Sequence, residues 1–396
     1  MKPSTIKRHK DMQADIRFFD NVAIIIEQAR SFIGRTVDLT MCVTYYEVGR
    51  MIVEEEQSGK ARAEYGKGLM KELALYLTTR LGRGFSLTNL KNAKKFYLTY
   101  ASSIQKRISA EFAVSSKNRE RAALPDEFNK SHSLTDLFVS AQKGQFLTDL
   151  FKVSWTHYVV LIRIENTNER RFYELEAASN QWTVDDLKRQ YNSSLYERLA
   201  LSRDKTGIMR LASEGQMLER PKDILKNPLV LEFLNMAEDS AYSETDLESA
   251  IISKLQKFLL ELGKGFLFEA RQKRFTFDEK SFFVDIVFYN RLLQCYVLID
   301  LKTTELKHQD LGQMLMYVNY FDRHVKKDFE KPTVGILLCR EKDDNIVELT
   351  LPENANIYAS EYSLYLPEKT LLQQKLNEWT LEFKEAQSSI KLKTKN

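Results

Sequence analysis

Phe282-Phe-Val-Asp285-Ile-Val-Phe-Tyr-Asn290 and, shortly after it, Tyr296-Val-Leu-Ile-Asp300-Leu-Lys302 are apolar runs that carry charge in their interiors. Their density of Val, Ile, Leu and aromatic residues predicts two buried β-strands. A carboxylate inside such a strand loses hydration, so it needs a cation or another partner. Strand side chains alternate between faces, which points Asp300 and Lys302 the same way. The polar stretch Tyr289-Asn290-Arg291 suits a hairpin turn, and pairing across it brings Asp285 close to Asp300. Two clustered carboxylates favour a hard divalent ion with oxygen ligands, Mg²⁺ or Mn²⁺. Lys302 beside them is suited to positioning a water or stabilising negative charge that develops on phosphate. The residues are equally compatible with a buried Asp–Lys salt bridge.

Working outward, Gln309-Asp-Leu-Gly-Gln313-Met-Leu-Met-Tyr317-Val-Asn-Tyr-Phe321 has helical spacing, with Gln313 and Tyr317 on one face. Upstream, the stretch from Asp246 through Glu248 and Glu261 to Gly263 predicts one amphipathic helix ended by glycine. The order is helix, strand, acidic strand, acid-x-Lys strand, then a Gln-x-x-x-Tyr helix. It resembles the core of the PD-(D/E)xK nucleases.

The strings Asp285-Ile-Val-Phe-Tyr-Asn290, Val297-Leu-Ile-Asp300-Leu-Lys302, His308-Gln-Asp-Leu-Gly-Gln313-Met-Leu-Met-Tyr317 and Gly335-Ile-Leu-Leu-Cys339 carry a closer resemblance. Together with Tyr65-Gly-Lys-Gly68, Gly82-Arg-Gly-Phe85-Ser86 and Trp155-Thr-His157-Tyr158, they are similar to the YhcG-like family of bacterial PD-(D/E)xK proteins. That resemblance implies an Mg²⁺-dependent DNA endonuclease in which Asp285 and Asp300 bind metal and Lys302 assists. It also implies that Gln313 helps order the site. The first-helix glutamate of the motif is Glu248 or Glu261, with Glu248 preferred because it lies earlier on the helix. Val284 stands where the superfamily's naming proline would be. Dimers are common among superfamily members that cut two strands, so a homodimer is compatible. The alternative reading is a DNA-binding adaptor that keeps the nuclease fold with little turnover.

The expected fold class is α+β. An all-α, helix-turn-helix-like domain over 16–202 precedes a linker at 203–223, which reads as polar and aperiodic. An α/β restriction-endonuclease-like domain with a mixed central sheet follows over 224–386. With 43% hydrophobic and 29% charged residues the chain fits a soluble globular protein, and no apolar run reaches the ~20 residues of a membrane span. The first residues lack the apolar core of a signal peptide, and three scattered cysteines predict a reducing, cytoplasmic setting.

Net charge is only +4, but no acid occurs between Glu72 and Glu111 while basic residues accumulate. Such a local excess suits phosphate contact. Helix, glycine turn and a second helix beginning after Ser86 are consistent with a helix-turn-helix whose second helix enters the major groove. Its candidate DNA contacts are Arg80, Arg83, Asn89, Lys91, Asn92, Lys94 and Lys95. Helix pairs joined by a glycine turn also occur in proteins that bind no DNA. Further helices are expected at 18–35, 38–57, 155–164, 168–178, 184–202 and 368–383, and strands at 332–340 and 356–360. Trp182 and Tyr158 read as core residues, and His157 as a structural histidine.

Overall fold

A computed structural model describes residues 34, 37–57, 63–117, 150–201, 205–236, 242–277, 279–376 and 378. The helix expected at 18–35 and the tail beyond 378 lie outside the described residues, apart from position 34. The chain forms two compact units, Met1–Arg170 and Arg171–Asn396.

The first unit is helical. Helix α1 spans 37–57, α2 Ala63–Leu81, α3 Leu87–Lys117 and α4 Trp155–Leu161. Ile52, Met70, Ala74 and Leu90 form a small core among the first three helices. An aromatic cluster extends it, with Tyr45 stacked on Trp155 at 4.2 Å and Phe96 against Tyr158 at 4.9 Å. Helices α1 and α3 cross closely because Gly49 has no side chain. A Cβ there would lie 2.1 Å from the carbonyl oxygen of Ala93, a backbone atom that cannot swing aside. Gly49→Ala is therefore expected to destabilise this unit by about 1–3 kcal/mol, the usual range for overpacking. Chemical denaturation checks it, and an unchanged midpoint would show that the two helices can separate at this crossing without cost.

The second unit begins within α5 (Thr167–Ser179), followed by α6 (Val184–Asn192), α7 (Leu195–Leu201) and α8 (Lys205–Glu214). Two sequence expectations change here. The single helix expected at 184–202 breaks at Ser193 and Ser194, where Ser194 takes φ +54° and the Ser193 carbonyl accepts a bond from Arg198 Nε. The stretch 203–223, expected to be aperiodic, contains α8. Leu211 and Ala212 give it a buried stripe, and Arg210 pairs with Glu214 at 3.0 Å. Trp182 and Tyr158 are buried as expected.

The remaining strands are β1 (Leu229–Val230), β2 (Phe266–Phe277), β3 (Lys280–Asn290), β4 (Cys295–Leu301), β5 (Val334–Cys339) and β6 (Ile357–Ser363). They form one mixed six-stranded sheet in the order β1-β6-β5-β4-β3-β2. The first four in that order run parallel, and β3 and β2 add an antiparallel hairpin. The parallel strands β4 and β5 are buried on both faces, as their unbroken apolar runs require. Helices α9 (Glu244–Ser253) and α10 (Leu255–Leu262) cover one face through Leu247, Ile251, Phe258 and Leu262. Helix α11 (His308–Tyr320) covers the other through Leu311, Met314, Tyr317 and Val318.

The expected single helix from Asp246 to Gly263 is thus two, capped at one end by Ser243 and ended by Gly263 at φ +102°. The break falls at Lys254, φ −118° and ψ 27°, with neither glycine nor proline to signal it.

Candidate active site

The candidate site lies where β3 and β4 separate. Their ladder runs from the Asn290–Cys295 pair to the Ile286–Ile299 pair. One step further along the same register Asp285 faces Asp300. There Asp285 replaces the backbone ladder, its Oδ2 accepting the Leu301 N–H at 2.9 Å. The face pattern of β3 also changes at this residue. Phe282 and Val284 pack with the α11 layer, whereas Ile286 and Phe288 pack with the α9–α10 layer. Strict alternation fails at Asp285, which frees its carboxyl from either core.

Lys302 lies on the face expected from strand period, with Nζ 2.8 Å from Asp300 Oδ2 and 3.5 Å from Glu244 Oε2. The Asp–Lys ion pair considered above is therefore present. It is not sealed: the Lys302 side chain is 13% exposed and Asp285 is half-buried.

The electrostatics follow from this crowding. Burial, and then the nearby Asp285 charge, push the Asp300 carboxyl up to about 7 against the pull of Lys302. Burial also raises Asp285, with Glu248 adding to the effect and the Leu301 N–H and Lys302 opposing it. Burial works against the Lys302 ammonium, but Asp300 and Glu244 hold it charged well above the usual lysine range. The site thus holds more negative charge than one ammonium balances.

Glu248 reaches this centre and Glu261 does not. Glu248, 2% exposed on α9, accepts hydrogen bonds from Arg271 Nε and from Gln272 Nε2, and Gln272 Nε2 also donates to Asp285 Oδ1 at 3.0 Å. Glu261 pairs instead with Arg198 at 2.6 Å and Arg189 at 2.8 Å. Gln313 is exposed on α11 and donates to the hydroxyl of Tyr317. Burial, followed by the Asp300 charge, pushes that hydroxyl up to about 12, which sets Tyr317 within electrostatic reach of the acids. Tyr317 and Gln272 were missed as site residues. The i,i+4 pairing with Gln313 was a usable signal for Tyr317, whereas nothing in the sequence marked Gln272.

Among the described residues no group of three His, Cys, Asp or Glu side chains gathers as a ready-made ligand set. Two facing carboxylates, half-open to solvent and short of compensating charge, do match a hard divalent ion that retains most of its waters. The donor chemistry fits.

The seven residues expected to contact DNA divide in two. Arg80, Arg83, Lys91 and Lys95 are exposed along the end of α2, the turn and the first turns of α3, and Asn92 is partly exposed. Asn89 is used internally: its amide donates to the Gly84 carbonyl and accepts from Trp155 Nε1 at 3.1 Å, closing the glycine turn. Lys94 is ion-paired with Glu56. His157 bonds Ser154 Oγ at 2.7 Å, as a structural histidine does.

Residues 222–377 match the YhcG PDDEXK nuclease domain, and residues 21–198 the DUF1016 N-terminal domain. The chain is 36% identical to the Escherichia coli (strain K12) protein named "Putative nuclease YhcG", over 90% of this chain and 92% of that one. A repair endonuclease from Pyrococcus abyssi is similar at 20% identity and a TM-score of 0.22, over 33% of this chain and 50% of that one. With the acid pair, the acid-x-Lys strand and the match over nearly its whole length, this chain belongs to the YhcG family of PD-(D/E)xK nuclease proteins.

Proposed function

We propose that the protein is an Mg²⁺-dependent DNA endonuclease, with Mn²⁺ as a competent substitute. The observation that carries this reading is the facing of Asp285 and Asp300 at the open end of the β3–β4 ladder, with Lys302 Nζ 2.8 Å from Asp300. Asp285 and Asp300 hold the metal, and Glu248 adds negative charge behind Asp285. A bound divalent ion activates water and offsets charge on the phosphate oxygens. Lys302 stays protonated and offers its ammonium to the phosphate or the attacking water. The Leu301 N–H fixes one oxygen of Asp285, and Tyr317 and Gln313 brace the α11 side of the centre.

The exposed basic residues Arg80, Arg83, Lys91 and Lys95, on a stretch of sequence without acids, form the DNA-binding surface of the N-terminal region, which we take to end near residue 202. No helix among the described residues is long and apolar enough to cross a membrane. Cys295 and Cys339 are buried thiols, which suits a reducing cytoplasm. A homodimer would place two such centres for cutting both strands.

The test incubates the full chain with circular and linear duplex DNA and with branched DNA, with and without Mg²⁺. Cleavage is expected only with the metal, and Asp285→Ala is expected to abolish it. Cleavage that survives chelator, or survives loss of Asp285, contradicts the reading. Replacing Arg83, Lys91 and Lys95 together by alanine is expected to weaken DNA binding and flatten its salt dependence by roughly one unit of slope per lost phosphate contact. Filter binding at several salt concentrations measures this, and an unchanged slope argues against the surface.

A further inference from the structure

Gln272 has left-handed backbone, φ +47°, inside strand β2. The other non-glycine residues with positive φ, among those described, all lie in turns or at helix ends. For an L-residue with a side chain this conformation is unfavourable, and within a strand interior it needs something to hold it. Its place in the sheet is equally particular. The pairs Arg271–Ile286 and Lys273–Val284 are in register, and the step between them, where Gln272 opposes Asp285, is missing from the ladder.

The twist has a visible effect. Consecutive strand side chains normally point to opposite faces, yet Arg271 and Gln272 both reach Glu248. The Gln272 amide then spans two acids, Glu248 Oε2 and Asp285 Oδ1. Facing two carboxylates, only the NH₂ end of the amide suits the position. Unlike Arg271, it binds them without cancelling their charge. A neutral donor of this kind can fix acid geometry while leaving the negative charge for a cation.

We propose that Gln272 is a positioning residue of the metal centre, its strained backbone aiming one amide nitrogen so that Glu248 and Asp285 are held together for a divalent ion. This rests on the metal-centre reading above. The class of ligand is a hard divalent cation, and Gln272 acts on it through the two carboxylates.

The test separates strain from function. Gln272→Gly removes the amide and also relieves the backbone penalty. Gln272→Asn tolerates the same backbone but is one methylene too short to bridge both acids. Calorimetric titration of the full chain with Mn²⁺ is run beside thermal melting of the metal-free protein. Both variants are expected to bind Mn²⁺ about 10–100-fold more weakly, the usual loss for a group that orients metal ligands. Metal-free Gln272→Gly is expected to melt at or above the wild-type temperature. Wild-type Mn²⁺ affinity in Gln272→Gly overturns the proposal, and so does a weakened affinity accompanied by a large fall in melting temperature, which marks a merely structural residue. Asp285→Asn serves as the control. If it leaves Mn²⁺ binding untouched, the metal-centre reading itself fails and the role of Gln272 goes with it. Loss of binding in Asp285→Asn with none in Gln272→Gly rejects only the latter.

Discussion

Replacing Lys302 by Met is expected to slow DNA cleavage by on the order of 10²–10³-fold, the usual loss when one preorganised donor to developing charge is removed. The same replacement is expected to leave divalent-metal affinity intact or to raise it. The reason is geometric: Nζ sits 2.8 Å from Asp300 Oδ2 and competes with a metal for that oxygen. Asp300→Asn is expected to lose both metal binding and cleavage. Single-turnover cleavage and Mn²⁺ calorimetry measure the two effects separately. Lys302→Met cleaving at the wild-type rate would falsify the catalytic role and leave the ion pair as a structural feature. A second comparison sharpens this. A purely structural buried pair can be replaced on both sides by apolar residues at little cost. The double variant Asp300→Leu, Lys302→Met can therefore regain stability, but its activity is expected to stay absent.

The strands that build this site were legible because strands covered on both faces demand nearly continuous apolar sequence. Asp285, Asp300 and Lys302 stood out as charges within those runs, and their convergence followed from the strand period and one hairpin. Helix α11 was readable from its spacing, which also paired Gln313 with Tyr317.

What escaped notice did so for identifiable physical reasons. Gln272 looks like any exposed polar residue of an edge strand, and a positive φ at a residue other than glycine leaves no compositional trace. Asn89 reads as a polar side chain on a DNA-facing helix, but its amide satisfies a turn carbonyl and an indole N–H, a non-local contact invisible to helical periodicity. Helix α8 was hidden because it is short, carries Gly207 in its first turn and is flanked by polar sequence. Glu248 and Glu261 are both buried, so burial alone could not separate them. Their partners do: Glu248 meets Arg271 and Gln272 beside Asp285, whereas Glu261 meets two arginines of α6 and α7.

That second set of contacts predicts the largest stability effect in the molecule. Glu261 and Arg198 are both fully buried and 2.6 Å apart, and Arg189 closes on the other carboxylate oxygen at 2.8 Å. The Val230 N–H donates to Glu261 at 3.1 Å, and Lys226 Nζ donates to its main-chain carbonyl. Arg198 also donates to the Ser193 and Pro228 carbonyls, and the Glu261 carboxylate, buried beside it, balances its charge. Glu261→Gln keeps the shape and removes that charge, so Arg198 loses the buried carboxylate it is paired with. The expected cost is about 3–5 kcal/mol, the range for breaking one side of a buried pair.

The pH dependence follows from the same contacts. Burial alone would push the Glu261 carboxyl up, but Arg198, Lys226 and Arg189 outweigh it and hold the group at about 2, below its ordinary value of 4.5. A depressed folded-state value makes this contribution complete above about pH 4.5 and fades it as pH falls toward about 2. Urea denaturation of wild type and Glu261→Gln is therefore expected to show a wide gap at pH 7 that narrows at pH 3. Equal midpoints at pH 7, or a gap that ignores pH, would refute the account. Cleavage per folded molecule is expected to be unchanged in Glu261→Gln, whereas Glu248→Gln is expected to reduce it. A Glu261→Gln protein that is fully folded yet inactive would reverse the assignment of the two glutamates.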